Sequence, residues 1–468
     1  MKKGVGAKIV LFICCMMLMI GICSAKAMAE DGQKIRVLLE SSANMMLSMT
    51  VRSGTYTAIN ANGQVLASLG GDDLAVVNNN GGQYSLSING LVMAEDQPII
   101  SIIADSPDSL FIYAGKTYRG DFKAVGSGIY FYAINVLGVE PYLYGVVGKE
   151  IGYNYAPEAL KAQAIAARSY ALSKIRPGNI YDVTNTVASQ VYGGYSAEAA
   201  SIIQAVDATY GQVVYYHGKV VEAVFHSNAG GFTENIENVW SNNDIPIIGV
   251  PSPYDSYASN FSSYGASTYA WTIEYTPARL VELANAYGNT NIGEFVDISL
   301  STTYNGVTSV SGRAMVVTIT GTAGSVTAVK DTNIRRLLGT KSSMITINDG
   351  GSGGGATAVA WMKDANGKLT AATGIEKLFG IRATGTAQAI NGSNSSFYVA
   401  SRSGVTKINK NGSSNVNGGT IVINGKGYGH GIGMSQWGAI GMAANGYSAA
   451  DIINHYYGAT GISLHKLY

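Results

Sequence analysis

The sequence predicts an α+β fold, and three observations carry the prediction. Residues 35–139 break into short β-like runs separated by Asn/Gly turns. An Ala-rich stretch beginning at Pro157 has the start and stop signals of a helix. The chain is poor in charge and rich in Gly and Tyr, a composition suited to strands and turns. The expected architecture is a helix-bearing core on a mixed or antiparallel sheet, with β-rich N-terminal and inserted segments.

The elements follow in order. Runs at 35–39, 74–77 and 99–103 read as strands, with turns at Asn62-Gly63, 78–82 and Asn89-Gly90. Pro157 suits the first helical position, Glu158 the first turn, and Pro177-Gly178 stops the helix. A second helix is expected at 196–209, with strands at 213–216 and 220–225 around His217-Gly218. A third helix is expected at 276–287, then strands at 296–299 and 314–319. Residues 348–355 form a Gly/Ser tract, and 356–418 read as a turn-rich insertion or hairpin excursion. A short helix is expected at 435–444, stopped by Asn445-Gly446. Ser448-Ala-Ala-Asp451 looks like a capping box opening the last helix.

The 468 residues are enough for a core that needs no staple, and 47% hydrophobic content argues against a disordered chain. Lys+Arg 31 against Asp+Glu 30 gives a net charge of +1, which argues against a nucleic-acid partner. Lys2, Lys3 and Lys8 precede an apolar run at 9–23, then Ala25-Lys-Ala27 and Ala27-Met-Ala29. This pattern predicts a secretory signal over 1–29, cleaved after Ala27 or Ala29, and hence a secreted or envelope protein. The run is shorter than the roughly 20 residues a spanning helix needs, and membrane attachment is expected only if it stays uncleaved. All three cysteines (Cys14, Cys15 and Cys23) lie inside it, so the mature chain has no disulfide and no Cys-ligated zinc.

On a helical wheel Leu160, Ala164, Ile165, Ala167, Ala171, Leu172 and Ile175 share an arc, with Arg168 at its centre. A buried guanidinium must find acceptors. Arg168 therefore either ties down backbone carbonyls and a structural acid or faces a cleft and positions a substrate. Glu150, the nearest candidate acid upstream, stands among Val146, Val147 and Ile151, company that raises a carboxyl pKa and suits a general acid. The bland alternative is a solvated loop Glu. His226 and Ser227 are adjacent, so their side chains diverge and a Ser–His nucleophile pair is weak. A metal site from His226, Glu234 and His430 is conceivable, but no HExxH accompanies it. Gly427-Tyr-Gly-His-Gly-Ile-Gly-Met-Ser-Gln-Trp-Gly438 is the densest local signal. Its glycines let a backbone pass close to a ligand or to another chain segment, but the context does not fit a dinucleotide fingerprint.

Several blocks in order resemble the SpoIID/LytB family of bacterial peptidoglycan-active proteins. They are Val139-Glu-Pro-Tyr-Leu-Tyr-Gly-Val-Val-Gly-Lys-Glu150, Pro157-Glu-Ala-Leu-Lys-Ala-Gln-Ala-Ile-Ala-Ala-Arg-Ser-Tyr-Ala171, and Asp182-Val-Thr-Asn-Thr186 with Gln190-Val-Tyr192. His226-Ser227, Gly230-Gly231, Thr233-Glu234, the stretch 427–439 and His455-Tyr-Tyr457 complete the set. The resemblance covers roughly 115–347 and 420–462 and, with the pattern and composition of the rest, divides the chain into five segments. These are a signal at 1–29, a β-rich region at 30–114, a core at 115–347, a connector and insertion at 348–419, and the rest of the core at 420–468.

The family includes a sporulation lytic transglycosylase and proteins described as amidase enhancers. By resemblance Glu150 and Arg168 are the expected catalytic residues, Glu150 matching the catalytic glutamate and Arg168 the arginine of the helix motif. Gln190, Tyr192, His226, Ser227, His430, Ser435 and Gln436 are then expected to bind substrate. The implied partners are peptidoglycan glycan strands and a cell-wall amidase. Some members bind zinc through cysteines; this chain lacks them, so no metal or other cofactor is carried over.

Overall fold

The computed structural model describes residues 33–348 and 420–468 apart from positions 44, 128, 241–245 and 459–460, and only strand segments between 349 and 419. The expected signal lies outside the described residues. No helix among those described is long and apolar enough to cross a membrane. They divide into two compact units. The first comprises the described part of Met1–Val213 with Val220–Glu222 and Lys466–Tyr468; the second comprises Val214–Lys219 and Ala223–His465.

In the first unit twelve strands run from β1 (Lys34–Ser42) to β12 (Tyr130–Gly138). The others are β2 (Met46–Ser53), β3 (Tyr56–Asn60), β4 (Val65–Leu69), β5 (Leu74–Asn79), β6 (Tyr84–Ile88), β7 (Leu91–Gln97), β8 (Ile100–Ala104), β9 (Leu110–Tyr113), β10 (Lys116–Arg119) and β11 (Asp121–Ser127). With β13 (Val183–Thr184) they form two sheets, ordered β13-β1-β12-β11-β8-β3-β4 and β10-β9-β2-β5-β6-β7. The first is mixed, because β13 runs parallel to β1 while β1–β12, β11–β12 and β3–β8 are antiparallel.

Alternation decides which side chains go inside. Leu47, Met49 and Val51 of β2, Ala75 and Val77 of β5, and Leu86 and Ile88 of β6 are all buried. Aromatic rings close the space between the sheets: Tyr84 stacks on Phe131 at 5.6 Å, and Phe111 meets Phe122 edge-on at 5.7 Å. The expected Asn89-Gly90 turn joins β6 to β7 with φ of 51° and 83°, positive at both central residues as a two-residue hairpin requires.

Strand β12 passes directly into α1 (Val139–Tyr144), followed by α2 (Val147–Ile151) and α3 (Pro157–Lys174). Pro157 opens α3 as expected, but the helix is buried on every side rather than along one arc, from Ala159 through Leu172. Small alanines let neighbours approach it all round. The second helix is shorter than expected: a 3-10 turn, Tyr195–Ala197, precedes α4 (Ala200–Ala208). Between them Glu198 is held extended, its carboxylate accepting from Arg119 Nε at 2.7 Å and Nη2 at 3.0 Å.

In the second unit, strands Ala270–Tyr275, Ile421–Lys426 and Ile345–Asn348 form one antiparallel sheet, and Phe295–Ser301, Val316–Gly321 and Gly324–Val329 another. Leu280 and Ala284 of helix Pro277–Gly288, with Ile334, Leu337 and Leu338 of helix Lys330–Leu338, fill their common core. Asn348 pairs with Val422, so the strands that flank the segment 349–419 are neighbours in this sheet, while most of the expected insertion lies outside the described residues. Three antiparallel strand pairs are described within it. The strand expected at 220–225 is reduced to Lys219–Val220 and Phe225–His226. Val224 O instead accepts from Tyr457 Oη at 2.7 Å and Met434 N at 3.3 Å. The final helix, Ala449–Tyr457, opens with the expected Ser448/Asp451 capping box.

Candidate active site

Glu150 sits on the short helix α2, which Val147 and Ile151 anchor in the core. Its carboxyl is half-buried, and Oε1 accepts a hydrogen bond from Val191 N at 2.6 Å. Burial pushes its pKa above the ordinary value and the Val191 amide pulls it partly back, with the first effect the larger.

The residues either side of Val191 are buried supports for that amide. Gln190 donates to Ala167 O at 3.3 Å and accepts from Tyr142 Oη at 3.2 Å. Tyr192 donates to Asn135 Oδ1 at 2.9 Å and packs on Tyr142 and Tyr118. Gln190 is 0% and Tyr192 3% exposed. The expectation that these two side chains bind substrate gives way to one in which their loop orients Glu150.

Arg168 is fully buried, so the expectation of a catalytic arginine gives way to a structural one. It forms a bidentate pair with Glu140 of α1, Nε to Oε1 at 2.8 Å and Nη2 to Oε2 at 2.7 Å. It also donates to Val206 O and Gln212 O, each at 3.1 Å. The guanidinium therefore ties α3 to α1 and to the chain around α4, without facing solvent. A cavity of about 610 Å³ in the same unit is bordered by Glu140, Tyr144, Asp207, Tyr210 and Tyr468.

His226, Ser227, His430, Ser435 and Gln436 all belong to the second unit. Two segments some 200 residues apart in sequence run side by side there. Phe225–His226 pairs in parallel with Met434–Ser435, and Asn228 and Tyr428 exchange both backbone hydrogen bonds. Glu234 N donates to Gly431 O at 2.7 Å, and Trp437 N to Ser227 O at 3.0 Å.

The two imidazoles lie 5.3 Å apart. His226 Nδ1 donates to Ile432 O at 3.0 Å, leaving its buried Nε2 without a partner among the described residues. His430 Nε2 donates to Phe225 O at 3.0 Å, and its Nδ1 accepts from Ile432 N at 3.1 Å. Both rings are thus neutral. Burial lowers the pKa of each, that of His430 to about 4, and the Arg313 guanidinium lowers both further.

Ser435 caps helix Gln436–Ala444 by accepting from Gly438 N at 3.2 Å, and donates to Asp255 Oδ1 at 2.5 Å. Gln436 is buried and Ser227 half-buried. The Glu234 carboxylate is engaged by Asn238 Nδ2, Val310 N and the Ser309 and Ser311 hydroxyls, which makes it structural. Among the described residues no three His, Cys, Asp or Glu side chains are grouped to hold a metal.

The family described as Stage II sporulation protein (SpoIID) matches residues 129–216, the stretch that carries Glu150, Arg168 and Val191. Stage II sporulation protein D of Bacillus amyloliquefaciens is 28% identical over 352 residues, covering 71% of this chain and 76% of that protein. Its namesake in Bacillus subtilis (strain 168) is 26% identical over 349 residues, covering 71% and 76%. The amidase enhancer of the same strain is 28% identical over 341 residues, covering 68% of this chain but 40% of its own length.

The chain is similar to SpoIID/LytB proteins, and residues 129–216 match the SpoIID family.

Within this SpoIID-like chain the Gly427–Gly438 stretch now has a physical reading. Gly433 has φ +67°, and a Cβ there would lie 2.1 Å from Val224 O. The glycines allow close approach between chain segments. Three site residues escaped the sequence reading: Glu140, Asp255 and Arg313. Glu140 lay inside a recognised block, ten residues before Glu150, and an acid at the start of a buried helix was an available signal. Asp255 and Arg313 lie in segments with no local pattern, and only tertiary contacts bring them to the loops.

Proposed function

We propose that this protein is a secreted peptidoglycan lytic transglycosylase in which Glu150 acts as acid and then as base. The observation carrying this reading is a half-buried carboxyl, on a short helix anchored in the core, held by one backbone amide and pushed up in pKa by burial. A raised pKa keeps a population protonated for donation. Glu150 donates its proton to the oxygen linking C1 of N-acetylmuramic acid to N-acetylglucosamine, and the C1–O bond breaks. The carboxylate then takes the proton of the muramoyl C6 hydroxyl, whose oxygen attacks C1 and closes a 1,6-anhydro ring. No water is consumed, and a second carboxylate at hydrolase spacing is not required. Arg168 and Gln190 are positioning residues here, and in the second unit the loops bearing His226 and His430 bind glycan in this reading.

The name of one relative, amidase enhancer, favours a second reading. In it the protein binds peptidoglycan and stimulates an N-acetylmuramoyl-L-alanine amidase without cutting glycan itself. Mass spectrometry of products from intact and peptide-stripped peptidoglycan, incubated with residues 30–468 or the Glu150→Gln variant, separates the two. Anhydro-muramoyl ends made only by the wild type support the transglycosylase. No new ends from either protein, with amidase stimulation retained in Glu150→Gln, would establish the second reading.

A further inference from the structure

Arg313 is the most anomalous buried group in the second unit. It is 1% exposed, yet Nε and Nη1 have no hydrogen-bond partner among the described residues. A guanidinium cannot shed its charge, so an under-satisfied one in the core is costly and calls for a reason beyond packing. Its surroundings supply one. Nη2 donates to Ala229 O at 3.0 Å, in the loop that follows His226. On its other side lies Gly431, in the loop that carries His430. A Cβ on Gly431 would stand 2.4 Å from Arg313 Nε and 2.5 Å from Cζ, so the guanidinium packs on bare backbone there. The base of the side chain is fixed as well, because Arg313 N donates to Ser309 Oγ at 2.8 Å and Ser309 Oγ donates to Glu234.

We propose that Arg313 is a positioning residue of the candidate site. It sets the gap between loops 228–231 and 429–433 and thereby fixes the placement and the proton pattern of the His226–His430 pair. The assignment of these loops to a site rests on the proposed function; the contact itself does not. The guanidinium charge also opposes protonation of both rings. The other groups acting on His430 are Asp331, which favours protonation, and Arg335, which opposes it; His226 feels His430 and Arg335. Asp331 is paired with Arg335 at 2.8 Å, and the carboxylates acting on Arg313 itself are Asp331, Glu234 and Asp255.

The test uses residues 30–468 with 15N-labelled histidine and needs no glycan, so it stands whether or not Glu150 proves catalytic. In the wild type His226 stays the Nδ1–H tautomer and His430 the Nε2–H tautomer down to about pH 5. Arg313→Met should raise the His430 titration midpoint by about one pH unit or more. Arg313→Lys, which keeps the charge and loses the planar fork, should restore most of that change while still shifting the His226 Nδ1–H resonance. A folded Arg313→Met protein whose imidazoles titrate as in the wild type overturns the proposal. Should Arg313→Met fail to fold, Arg313→Lys decides: an unmoved His226 resonance rejects the positioning role. Gly431→Ala adds an independent check. Its fall in Tm should be smaller in the Arg313→Lys background than in the wild type, whereas additive falls would count against a direct contact.

Discussion

Val191 N donates to Glu150 Oε1 at 2.6 Å, and this bond decides how the carboxyl is presented. It lies between two buried residues, Gln190 and Tyr192. One donor, rather than two or three, leaves the carboxyl net-raised in pKa.

Glu150→Gln should lower anhydro-muramoyl formation by at least about 10³-fold, the scale of a lost general acid–base group. Because Glu150 must be protonated for the first step, wild-type activity should fall as pH rises through its raised pKa. Rates of product release measured from pH 4 to 8 should place this limb above the ordinary carboxylate value of 4.5.

Arg168→Met should leave the Glu140 carboxylate buried and unpaired. Breaking such a pair costs about 3–5 kcal/mol. Arg168→Met/Glu140→Leu should recover much of that loss, since no charge is then stranded. Denaturant unfolding of the three proteins checks it, and equal losses in the single and double variants would contradict the ion-pair account.

Asp255 and the two histidines oppose each other in pH dependence. Burial raises Asp255 to about 6 against an ordinary 3.8, despite hydrogen bonds from Ser435, Ser252 and Gly231. The folded chain therefore holds this proton where the unfolded chain has lost it. Its contribution is full below about 3.8, declines as pH rises to about 6, and amounts to about 3 kcal/mol. His226 and His430 are lowered, so their contribution is full above 6.5 and is lost as pH falls, through about 4 for His430. Asp255→Asn removes the compensating slope. Its unfolding free energy should drop more steeply than that of the wild type between pH 6 and 4.

Gly433→Ala should be among the most damaging small substitutions in the second unit. Its φ of +67° disfavours any Cβ, and the added atom would meet Val224 O. A loss of about 2–4 kcal/mol is expected, read as a reduced denaturation midpoint. Gly446→Ala offers a control with φ of +86° and open space at the Cβ; only the backbone penalty should remain, about 1 kcal/mol.

Local physics made a large part of this chain legible. Pro157, the Asn89-Gly90 turn, the Thr276–Pro277 start and the Ser448/Asp451 capping box each act within a few residues, and each occurs where the local pattern put it. Glu150 could be singled out for the same reason, since its apolar neighbours are adjacent in sequence. Where a side chain's partner is distant, the sequence was silent. The Arg168–Glu140 pairing, the burial of Gln190 and Tyr192, and the shortening of the second helix by Glu198 on Arg119 all depend on contacts 28 to 79 residues apart in sequence.

What the sequence by itself determined was the menu: an α+β fold, punctuated helices, twin glycine-rich loops, and an acid in apolar company. Only the tertiary structure decided the pairings. It set the braid of the 225–234 and 428–437 segments and the neutral state of their two histidines. It also placed Arg313 beneath Gly431. Propensity and capping are properties of neighbouring residues, whereas burial and charge compensation exist only after distant segments have met.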